Sequence, residues 1–85
     1  MILTEEQLKK NSHIPVDVIQ KDIEDTEKEI DRFNRELMIL RETPLENKLR
    51  IYLLLGGITS REDFVENCKQ CLEYNKKLNN KEEYK

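Results

Sequence analysis

Eighty-five residues with a net charge of −3 bound this chain to one domain at most and argue against a general nucleic-acid binder, whose phosphate contacts require a basic surface. A hydrophobic content of 36% against 39% charged residues suits a thin apolar seam on long amphipathic helices better than a sphere with a deep core. The longest apolar run, Ile51 to Leu55, is too short for a membrane span, and Met1 to Glu6 has neither the basic start nor the apolar stretch of a secretion signal.

These features predict a soluble, cytoplasmic protein without a membrane partner, with Cys68 and Cys71 reduced. Ala and Trp are absent while Ile, Asn and Lys are frequent, a bias toward AT-rich codons that points to a phage or a low-GC bacterium.

In chain order, Thr4 and Gln7 have the spacing of a capping box and predict a short helix to about Lys10, within an N-terminal unit at 1–12. Asn11, Ser12 and His13 break the pattern. Pro15 suits a first helical turn, and the long helix is predicted over 15–42. Its signature is a 3-4-3-4-3-4-3 spacing of Val16, Ile19, Ile23, Thr26, Ile30, Phe33, Leu37 and Leu40. An a/d seam of that length needs a partner helix along its whole extent, and Thr26 at a seam position could fix register. Thr43-Pro44 ends this helix, because the residue before a proline is pushed out of the helical region.

A second helix is predicted over 45–55, with Leu45, Leu49 and Tyr52 on one face, and Gly56-Gly57 is expected to stop it. Ser60 then caps a third helix, giving a segment at 60–79 with Phe64, Cys68, Cys71, Asn75 and Leu78 as its stripe, widened by Val65 and Leu72. Residues 80–85 are expected to fray.

The fold class is therefore all-α, with coiled-coil-like packing. It is a single domain in which a short N-terminal helix precedes an antiparallel helical hairpin with a broken second arm. The alternative is a compact three-helix bundle folded back at Gly56-Gly57. Residues 17–31 carry net −5 and residues 32–61 net +3, while 62–74 carry −3 and 75–85 carry +2. An antiparallel return is expected to set Lys76, Lys77 and Lys81 beside the acidic start of the long helix. It should also bring Glu62, Asp63 and Glu66 toward the arginine-bearing half.

Few constellations could carry chemistry. Cys68-Lys69-Gln70-Cys71 is a lone C-x-x-C placed mid-helix beside Glu66 and Glu73, where nothing lowers a thiol pKa, so the two are expected as buried core thiols. A zinc site would need two further ligands, and His13 is the only histidine. His13 is expected in a solvated loop. Acidic pairs such as Glu24 with Asp25 and Glu27 with Asp31 read as a solvated helix face, although the run from Asp17 to Asp31 could also imitate nucleic-acid charge toward a basic partner. No catalytic residue, metal or cofactor is expected.

Two surfaces have a functional reading. Met38, Ile39, Ile51, Leu53, Leu54, Leu55 and Ile58 are apolar beyond the first seam, cluster around the bend and are expected to form an oligomer interface. Arg32, Arg35, Arg41, Arg50 and Arg61, with Lys48, form a basic set that could take an anionic ligand such as a nucleotide, because guanidinium forks suit phosphate. The layout of a short N-terminal helix before a helical hairpin resembles that of phage proteins that sequester cyclic nucleotides. That resemblance implies an oligomer and a nucleotide ligand, and it assigns no residue.

The expected function is that of a small non-enzymatic, self-associating interaction protein. It would be an adaptor or inhibitor of a protein partner, in keeping with a phage accessory protein. The alternatives are an oligomeric binder of small anionic ligands and a structural coiled-coil module.

Overall fold

The computed structural model describes residues 2–83, with side chains through Asn79. Among these residues the chain is helix and turn only: α1 (Glu5–Lys10), α2 (Val16–Leu40) and α3 (Lys48–Glu83). The antiparallel hairpin of α2 and α3 is present. The molecule is elongated, 61 × 21 × 13 Å.

The predicted helix starts and stops hold for α1 and α2. The Thr4 hydroxyl oxygen accepts from the Gln7 N–H at 3.2 Å, and the Gln7 side-chain oxygen accepts from the Thr4 N–H at 2.9 Å. Those two bonds satisfy donors that a helix start leaves open. The Asn11 and Ser12 side chains then donate to the carbonyls of Gln7 and Lys9, closing α1. Pro15 precedes α2 as its N-cap with extended backbone. All eight positions of the α2 seam are buried or half-buried, with Ile19, Ile23, Leu37 and Leu40 buried.

The return arm departs from expectation at both ends of its first segment. Pro44 does not open a helix. Instead Asn47 donates to the Leu40 carbonyl at 3.2 Å and to the Thr43 carbonyl and hydroxyl at 3.1 and 2.8 Å. The bend is thereby closed by one side chain, α3 starts only at Lys48, and Leu45 is left in the turn.

Gly56-Gly57 does not stop the arm either. Both glycines lie within α3, no glycine has a positive φ, and Ser60 is a mid-helix residue rather than a cap. Each glycine costs a helix only about 1 kcal/mol, which packing along α2 offsets. The arm is thus one helix instead of two, and the fold-back needed for a three-helix bundle does not occur. The frayed tail expected at 80–85 lies largely outside the described residues. Only its backbone to Glu83 is described, and that is helical.

A seam explains the continuity. Ile51, Leu54, Ile58, Arg61, Val65, Cys68, Leu72 and Asn75 follow the same 3-4-3-4-3-4-3 spacing straight through the glycine pair, and all eight are buried or half-buried. Phe64, expected on the stripe, is instead exposed.

Three contacts set the register. The Phe33 ring lies over Gly57, where an added Cβ would come within 3.4 Å of it. Arg61 stacks on the same ring at 4.5 Å and donates to the Glu29 carboxylate at 2.8 Å. Asn75, only 3% exposed, donates to the carbonyls of Asn11 and Ile14 at 3.2 and 3.0 Å.

α3 is longer than α2, and the N-terminal segment covers the difference. Leu3 donates its N–H to the Gln70 side chain at 2.8 Å. Leu3, Leu8 and Ile14 pack on the cluster of Ile19, Ile23, Val65 and Cys71.

The antiparallel sense agrees with the charge argument, but the register does not. Glu62 and Glu66 share a cleft with Glu27, Asp31 and Lys69, lined also by Ile30 and Val65, so they lie level with the acidic half of α2 and not with its arginine-bearing half. Surface ion pairs contribute about 0–1 kcal/mol, so burying the seam decides the alignment and the acids follow. Lys77 pairs with Glu73 on its own helix at 3.6 Å, and the side chain of Lys81 lies outside the described residues.

Candidate functional site: the apolar bend end

The residues singled out in the sequence fall into three groups. Cys71 is buried, Cys68 is half-buried, and both are free thiols. Burial pushes both upward in pKa, and for Cys68 the Asp22 carboxylate and Cys71 add to that. Neutral thiols pack as small apolar side chains, in keeping with their place beside Ile19 and Leu72. His13 is exposed in the turn between α1 and α2. Among the described residues no group of three His, Cys, Asp or Glu side chains is arranged to hold a metal ion.

The basic set is divided by the fold. Arg61 is engaged by Glu29, by the Gly57 carbonyl at 3.2 Å and by the Phe33 ring. Arg50 meets Glu36 at 3.3 Å. Arg32, Arg35 and Arg41 are exposed. Arg61 is level with Glu29 while Arg41 lies past the end of α2, twelve residues on, so the set spreads over roughly 18 Å of axis.

The apolar set is concentrated. Met38, Ile39, Leu53 and Leu55 are exposed as large apolar side chains, and Ile51 and Leu54 are half-buried seam residues. Ile58 is buried within the hairpin itself. The structure adds Leu45, 92% exposed in the turn, and Leu49 and Tyr52, 70% and 73% exposed on α3. These three form the face that the sequence assigned to a separate second helix.

Geometry explains the exposure. At about 3.6 residues per turn, Leu49, Tyr52, Leu53 and Gly56 lie on the side of α3 turned away from the α2 seam. Met38 and Ile39 lie on the corresponding outer side of α2. A two-helix hairpin covers one side of each arm. At the far end α1 adds a third layer, and at the bend nothing does.

No helix among the described residues is long and apolar enough to cross a membrane. No family model, curated protein or solved structure matches this chain.

Proposed function

We propose that this is a non-enzymatic helical interaction protein that self-associates through its bend end and serves as an adaptor or inhibitor of another protein. One observation carries the reading: six large apolar side chains, Met38, Ile39, Leu45, Leu49, Tyr52 and Leu53, are all exposed around one end of the hairpin. Burying one Leu or Ile contributes about 1.5–3 kcal/mol, so leaving several in water forfeits an energy comparable to the whole stability of a small domain. Apolar patches of this kind mark interaction surfaces. The charged flanks that remain, Asp17 to Asp31 on one half and the exposed arginines on the other, are what the assembly would offer to a second partner.

Sedimentation of the full chain at micromolar concentration tests the reading. The expected result is a helical species whose mass is a multiple of 10.2 kDa. A folded 10.2 kDa monomer across that range contradicts it.

A further inference from the structure

The two glycines of α3 differ. Gly57 has an internal reason, since Phe33 packs over it. Gly56 has none: an added Cβ would meet nothing within 4 Å. An exposed glycine inside a helix costs about 1 kcal/mol relative to alanine and here gains nothing from its own chain.

Its surroundings are equally unaccounted for. With ~100° between successive residues, Leu49, Gly56, Ser60 and Asn67 fall on one line along the outer face of α3. Leu53 and Phe64 flank that line on one side, and Lys48, Tyr52 and Asp63 on the other. Apolar knobs stand before Gly56, and after it a hollow opens on the Phe64 flank, between α3 and α2. Leu45 and Leu49 project near the bend. Eleven residues after Gly56, Asn67 joins Phe64 and Cys71 in lining a cleft of about 280 Å³ against Leu3 and Ile19, with the Asp22 and Asn11 side chains also in its wall. Leu45 stands eleven residues before Gly56. Leu45 projects from the turn ahead of α3 and Leu49 from its first turns, so knob and hollow lie on opposite sides of Gly56, the position where a second backbone could approach closely.

From this self-complementarity we infer that the outer face of α3 seats a second copy of this chain, crossing antiparallel over Gly56, with Leu45 and Leu49 of each copy entering the cleft of the other beside Phe64. The inference rests on the self-association proposed above and names the face, the sense and the crossing point. A two-fold axis at Gly56 brings Leu53 over the small Ser60 of the other copy, and Leu49 beside its Phe64. Flank meets like flank across such an axis, so Lys48 of each copy comes level with Asp63 of the other. A parallel two-fold would instead set each flank against the opposite one and leave Lys48 and Asp63 fifteen residues apart along the axis, without this pairing.

Gly56→Leu separates the interface from the fold. The position is open within the chain and leucine favours helix, so helical content should be retained or rise while close approach is blocked. By sedimentation equilibrium the dimer dissociation constant should rise at least tenfold. Lys48→Glu and Asp63→Lys should each weaken association several-fold, and the double variant should restore it. This pair keeps the test decisive should Gly56→Leu misfold. An unchanged dimer in Gly56→Leu, or a charge swap without rescue, overturns the inference. A natural assembly split by Met38→Glu but indifferent to Gly56→Leu overturns this face while leaving self-association standing. A natural chain that is monomeric throughout overturns both.

Discussion

The two ends of the hairpin share one seam and differ in how it is finished. At the terminal end, Ile19, Ile23, Val65 and Cys71 form a buried cluster roofed by Leu3, Leu8 and Ile14, and Asn75 and Gln70 tie the N-terminal segment down by hydrogen bonds. At the bend end, Leu37, Leu40 and Ile58 are buried, but Met38, Leu45, Leu49 and Tyr52 around them face water. The lesson is that a heptad seam specifies one contact per helix, and a third layer is needed before an end is closed. Six helical residues and a short linker supply that layer at one end. At the other end the described residues supply none, and in the proposed assembly a second copy does.

The sharpest way to break the contrast is to remove the same kind of side chain from each end. Ile23→Ala, inside the closed cluster, should cost about 2–5 kcal/mol by urea or thermal unfolding. Leu45→Ala, in the turn, should leave the monomer fold within about 0.5 kcal/mol. Comparable losses at both positions would mean that the bend is already closed within the chain.

A smaller effect tests the tie at the terminal end. Asn75→Ala removes the donor shared by the Asn11 and Ile14 carbonyls and should cost about 1–3 kcal/mol. Faster hydrogen exchange confined to α1 and the start of α2 would locate the loss. The glycine pair gives the next contrast. Gly57→Leu should displace Phe33 and destabilise the hairpin, whereas Gly56→Ala should stabilise the isolated fold by up to about 1 kcal/mol.

The smallest effect is a pH dependence belonging to the terminal end alone. Both thiols are raised in the folded chain, so on going alkaline the unfolded thiols ionise first. The unfolded state then holds fewer protons, and stability is lost as pH rises from the ordinary thiol value through the raised one. The urea midpoint should fall more between pH 8 and 10 in the natural chain than in a Cys68→Ala/Cys71→Ala variant (about 8 and 10 bracket the usual thiol range). Equal slopes would remove the thiols from the account.

What the sequence made legible follows from how local each signal is. The α2 seam and the Thr4–Gln7 box could be read because spacing and cap chemistry lie within a few residues. The glycine pair misled because a propensity rule is also local, while the packing that overrides it comes from Phe33, more than twenty residues away. The unbroken 3-4 spacing from Ile51 to Asn75 was the available signal, disguised by Arg61 at an apolar position and by the glycine pair within it. Arg61 belongs there because Glu29 and Phe33 receive it, and Asn75 because two linker carbonyls do. Thr26 stands half-buried at its seam position, and the register contacts lie elsewhere. At the bend, an apolar cluster was legible from composition. Which members point outward depended on the phase of α3, which starting the stripe at Phe64 had shifted.

The central claim is that the terminal end is complete within one chain and the bend end is completed by another. Hydrogen exchange resolved along the chain at two concentrations, far below and far above the association constant, tests it most directly. Amides from Leu45 to Ser60, and those from Phe64 to Cys71 beside the seated cleft, should gain protection at the higher concentration, while those of α1 stay unchanged. A pattern independent of concentration, or a gain confined to α1, would contradict the account.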